Sequence, residues 1–169
     1  RPCRYGLPGP CRRRATLGRA IQAATTGGDL RIAATARIHL ARTLRGAGDE
    51  LTARTLLEEN DRWYRASGGG DGALLTRCLL AALSLEPGTG KAAVQDLHTV
   101  LDEARHHQDL ETQTLALDAL ANAAAARGDL PGAERLLQEA DGLHAQVRHT
   151  LDDADRFDAR IAREAPLRR

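Results

Sequence analysis

Aromatic side chains are almost missing from this chain: Tyr5, Trp63, Tyr64 and Phe157 are the four in 169 residues. A core without rings must be assembled from leucine and alanine, which suits closely packed helices better than sheets. Lysine is nearly absent too. Lys91 stands alone against 23 arginines, a bias that reads as genomic base composition rather than function. No run of 18 apolar residues exists, which excludes a transmembrane helix. The N-terminal arginines are followed by no apolar stretch of the kind a signal peptide needs. Three cysteines (Cys3, Cys11 and Cys78) are too few and too scattered for a disulfide framework, so a reducing, cytoplasmic compartment is the expectation. Methionine is absent even at the start, which reads as a segment of a longer protein.

What is present is a repeat. Leu40, Leu80 and Leu120 fall 40 residues apart, as do Ala41/Ala81/Ala121, Gly48/Gly88/Gly128, Ala53/Ala93/Ala133 and Leu57/Leu97/Leu137. Five identical columns at one spacing mark a solenoid, in which each repeat buries its apolar face only against its neighbours. The surrounding composition of Ala, Leu, Arg and Glu favours helix throughout.

Each 40-residue repeat reads as helix, glycine turn, helix. In the first, Ala33, Ala36, Leu40, Ala41 and Leu44 form one stripe at helical spacing, and Gly46 and Gly48 stop the helix. Asp49 is a natural N-cap for the second helix, expected to turn Leu51, Leu56, Leu57 and Asn60 inward. Gly68-Gly69-Gly70 precedes the second repeat, whose own turn is Glu86-Pro87-Gly88-Thr89-Gly90. The third repeat turns at Arg127-Gly128-Asp129, with Pro131 in the first turn of its last helix, where a missing N–H costs nothing. Shifted back one period, Leu57 and Asn60 map onto Leu17 and Ala20, so a partial repeat helix precedes the array. After it, Leu151, Ala154, Phe157, Ile161 and Ala165 make one apolar stripe of a capping helix with a charged outer face.

On these residues the repeats resemble tetratricopeptide repeats. Leu117, Leu120, Ala121, Ala124, Gly128-Asp129, Ala133, Leu137 and Ala140 of the third repeat occupy that motif's large and small positions in order. The first repeat matches through Leu40, Ala41, Leu44, Gly48-Asp49, Ala53 and Leu57, and the second less well, with Thr89 in place of aspartate. The consensus aromatics are absent and the period exceeds the usual ~34 residues, as in the degenerate repeats of large actinobacterial transcriptional regulators. The resemblance implies a concave groove lined by the first helices: Thr35, Ile38, Arg42 and Arg45, then Leu75, Cys78 and Ala82, then Asp118 and Asn122. Such a groove is basic at one end, apolar in the middle and acidic to amide at the other, a gradient suited to a peptide or partner helix. The carboxylate clamp known from such repeats is matched only by Asn122 and is not expected here.

Other motifs carry less. Gly88-Thr89-Gly90-Lys91 resembles the end of a phosphate-binding loop, but Leu85 and Ala92 stand where glycine and Ser/Thr are required. His98, Asp102 and His106 lie on one helical face, yet the two histidines are roughly 12 Å apart by helix rise and cannot share an ion. No nucleophile–base arrangement has the context catalysis needs.

The sequence thus predicts an all-α, tetratricopeptide-like right-handed solenoid of about eight helices. Its parts are a basic linker (1–10), a partial repeat helix (11–28), three repeats (29–149), and a capping helix and tail (150–169). The expected function is a protein–protein interaction or regulatory module in a larger bacterial regulator, with no catalysis, cofactor or metal. Two alternatives stay open: sensing of a small molecule in the groove, and nucleic-acid contact through Arg12, Arg13, Arg14 and Arg19.

Overall fold

The computed structural model describes residues 10–70, 72–85 and 90–146, which are helix or short connecting turn throughout. Among the described residues seven helices follow in order: α1 (Pro10–Thr26), α2 (Leu30–Gly46), α3 (Glu50–Ala66), α4 (Ala73–Leu83), α5 (Lys91–His106), α6 (Leu110–Ala126) and α7 (130–146). The described residues are all-α as expected, and α1 is a helix across most of 11–28. The count is seven rather than about eight. The eighth helix expected over 150–169 lies outside the described residues, as do 1–9 of the linker. No helix among the described residues is long and apolar enough to cross a membrane. The chain divides into two compact units, Arg1–Asp96 and Leu97–Arg169, with the division inside α5.

The turns reveal a finer period than 40. Gly28, Gly48, Gly68 and Gly128 have φ of 78°, 80°, 82° and 83°, and Gln108 has φ 56°, so left-handed residues recur on a 20-residue grid. At each, the next residue's N–H donates back to a carbonyl near the end of the preceding helix: Asp29 to Ala24, Asp49 to Leu44, Gly69 to Tyr64, Asp109 to Ala104 and Asp129 to Ala124. Four of those residues then cap the following helix. Asp29 accepts from Ile32 N–H at 3.1 Å, Asp49 from Thr52 at 3.4 Å, Asp109 from Thr112 at 3.1 Å and Asp129 from Gly132 at 2.9 Å. One aspartate therefore closes one helix with its backbone and opens the next with its side chain.

Gln108 is the exception that makes a test. A residue with a Cβ in the left-handed region costs roughly 1–2 kcal/mol, and glycine fills the equivalent place at 28, 48, 68 and 128. Gln108→Gly should therefore stabilise the chain by about 1 kcal/mol, seen as a higher urea midpoint at unchanged slope. A lower midpoint would show that the Gln108 side chain stabilises the turn by more than its backbone strain costs.

In the N-terminal unit α1 packs on α2, α2 on α3 and α3 on α4. Ala33, Ala34, Ile38, Ala41 and Leu44 of α2 and Ala53, Leu57 and Tyr64 of α3 are buried in the core. Asn60, fully buried on α3, donates from Nδ2 to the Ala34 carbonyl at 3.1 Å and to Thr76 Oγ1 at 3.3 Å, tying α2, α3 and α4 together. Arg54 reaches the far end of α4, donating to the Leu83 carbonyl at 2.6 Å and to Ser84 Oγ at 3.0 Å, where a cation meets the negative helix terminus. In the C-terminal unit Ala121, Ala124 and Ala133 pack with Leu136, and Gln113 Nε2 donates to the Ala104 carbonyl at 3.1 Å. Arg105 donates to Glu139 at 2.6 Å, and this bond raises its already high pKa further.

Two leucines depart from the expected inward faces. Leu51 is 79% exposed, because it lies about 240° around α3 from Leu57 by the 100° helical step. Leu137 is 47% exposed although Leu57 and Leu97, its equals in the repeat column, are buried.

Candidate functional site

The nine residues expected to line a groove divide by burial. Ile38, Leu75 and Cys78 are 3%, 8% and 0% exposed, so the expected apolar middle of the groove is core and not surface. For α2 the reason is that α1 and α3 pack on it from two sides. On α2 the buried positions Ala33, Ala34, Ala36, Ile38, Ala41 and Leu44 sweep about 200° of the helix, far wider than the single stripe of a helix packed on one side. Thr35 and Arg42 are exposed, while Arg45 and Ala82 are half-buried, in the N-terminal unit. In the C-terminal unit Asp118 is half-buried and Asn122 exposed, four residues apart on α6.

One exposed stripe of α2 is basic, beside the exposed Ile32. Arg31, Thr35, His39 and Arg42 are all exposed and fall within about 80° of one another around the helix axis. Thr35 Oγ1 donates to the Arg31 carbonyl at 3.2 Å and Thr43 Oγ1 to the His39 carbonyl at 2.9 Å, so both hydroxyl hydrogens turn back to the helix. The stripe therefore offers cationic and imidazole groups outward. Sequence reasoning missed Arg31 and His39 here, although their i, i+4, i+8, i+11 spacing with Thr35 and Arg42 was a readable signal.

Alongside this stripe, Arg13 and Leu17 of α1 face His39, Arg42 and Thr43 of α2 across an open cleft of about 450 Å³. Charge is concentrated here. Arg12, Arg13, Arg14 and Arg19 on α1 and Arg31, Arg37, Arg42 and Arg45 on α2 are opposed within the two helices and their turn by Asp29 alone. Asp29 is already engaged as the α2 cap. The N-terminal arginines considered for nucleic-acid contact do not act as one group: Arg13 lines the cleft, while Arg14 pairs with Asp49 at 3.5 Å.

The remaining motifs settle differently. Lys91 opens α5, and the glycine loop before it falls largely at 86–89, outside the described residues. His98, Asp102 and His106 are exposed on α5, and no group of three or more metal-ligating side chains converges among the described residues. Trp63 is half-buried, its ring edge-on to Tyr64 at a centroid distance of 4.8 Å. No protein-family model, curated protein or solved structure matches this chain.

Proposed function

We propose that the chain is an interaction module of a tetratricopeptide-like, right-handed repeat type, built into a larger bacterial regulator, and that it binds an acidic segment of a protein partner along the basic stripe of α2. The observation that carries this reading is the charge surplus of the α1–α2 hairpin, of which Arg31 and Arg42 lie on an exposed stripe of α2. The regular helix–turn–helix repetition supports a scaffold role, since stacked repeats hold such a face rigid. With Ile38, Leu75 and Cys78 in the core, recognition runs through charge and hydrogen bonding instead of an apolar groove centre.

The test is a binding assay with a display library of acidic and neutral peptides. Acidic peptides should be selected, and the Arg42→Ala/Arg45→Ala double variant should bind them about tenfold more weakly with a flatter salt dependence. Its unfolding midpoint should stay close to that of the parent. Unchanged affinity in the double variant would remove α2 from the contact surface.

A further inference from the structure

The cleft between α1 and α2 is more specific than a basic stripe. Arg13 lies on one wall, Arg42 and His39 on the other, and Leu17 adds an apolar patch. Arginines from two different helices line one recess of about 450 Å³, an arrangement that matches a compact oxyanion better than an extended row of carboxylates. Guanidinium groups present planar, paired N–H donors that fit phosphate oxygens, and a dianion between two of them gains more than a single carboxylate does. From this geometry we propose that the Arg13–His39–Arg42 cleft is a recognition site for a phosphate group carried on a partner's serine or threonine side chain. This inference rests on the interaction-module reading and names the chemistry that the module reads.

A nucleic-acid backbone supplies the same phosphate chemistry, but the arginines are poorly arranged for it. Arg12, Arg13 and Arg14 are consecutive and fan around α1 in steps of about 100°, so they cannot follow one strand. Arg14 is held by Asp49. The cleft thus offers one seat for one phosphate rather than a track for many.

The experiment is an amide-shift titration of the 15N-labelled full chain with O-phospho-L-serine, with serine as the reference. Phosphoserine alone should give saturable shifts confined to residues around Arg13, Leu17, His39 and Thr43. The affinity expected for such a fragment is millimolar. Arg13→Gln and Arg42→Gln should each weaken it about tenfold, and Arg19→Gln, outside the cleft, should not. Circular dichroism of each variant checks that the helices are retained. Shifts that fail to saturate, or that persist in both cleft variants, overturn the site.

A second arm compares a degenerate peptide pool with a central phosphoserine, the same pool with glutamate there, and a single-stranded oligonucleotide of equal length. Preference for the phosphoserine pool supports the proposal. Tighter binding of the oligonucleotide, with a steep salt slope, overturns the protein source. Equal binding of the glutamate pool, lost in Arg42→Ala/Arg45→Ala, overturns phosphate recognition while the interaction reading stands.

Discussion

Gly72→Ala should destabilise the N-terminal unit by about 3 kcal/mol or more. Gly72 has φ +94°, where a Cβ alone costs about 1–2 kcal/mol. A Cβ built there would also stand 2.6 Å from the Tyr64 hydroxyl oxygen and 3.1 Å from Cδ1 of Ile38. Both neighbours are buried, Tyr64 at 2% and Ile38 at 3% exposure, so neither moves without disturbing the core. Overpacking of this kind adds about 1–3 kcal/mol to the backbone cost. Gly48→Ala is the matched control: its φ is +80°, but nothing lies within 4 Å of the added methyl, so only the backbone cost of about 1 kcal/mol should appear. Equal urea midpoints for the two variants would show that Tyr64 and Ile38 do not confine position 72.

Three leucines of one repeat column should respond unequally to truncation. Leu57→Ala and Leu97→Ala should each cost about 3 kcal/mol, since both side chains are essentially inaccessible, at 1% and 0% exposure, and would leave cavities. Leu137→Ala should cost less than about 1 kcal/mol, because nearly half of that side chain already meets water. Chemical denaturation of the three variants against the parent measures this directly. A cost at Leu137 equal to that at Leu57 would mean that a covering element, absent among the described residues, shields it in solution.

This contrast shows where the sequence was legible and where it was not. The identity of the column residues announced a repeat, and the cap at Asp49 and the stops at Gly48 and Gly128 are where the structure places them. Identity does not specify environment. Leu57, Leu97 and Leu137 read alike, yet exposure depends on which helix lies next to each, a fact of neighbours and not of the residue itself. The same blindness misplaced Ile38, Leu75 and Cys78. A single apolar stripe was expected to leave the opposite face open, but α2 is packed by α1 and α3 and buries more than one stripe, and the buried positions of α4 likewise spread beyond one. The 20-residue grid was readable from Gly28-Asp29, Gly48-Asp49 and Gly128-Asp129. It was masked because glycine gives way to Gln108 at one grid point and aspartate to glycine at position 69.

The cleft was beyond reach for another reason. Arg13 and Arg42 lie 29 positions apart and are brought together only because α1 and α2 pack side by side. Their charges were visible in the sequence; their convergence was not.

The shared aspartates bear on how such a chain can lengthen. Because Asp29, Asp49, Asp109 and Asp129 each serve two helices, a turn and its caps form one transferable joint. Inserting or deleting 20 residues would leave every joint chemically intact, but it would reverse the direction of all downstream helices and exchange their packing partners. A change of 40 preserves joint, direction and neighbours together. Duplication in pairs of helices is then the viable step, and the 40-residue columns record that constraint while the 20-residue grid records the joint.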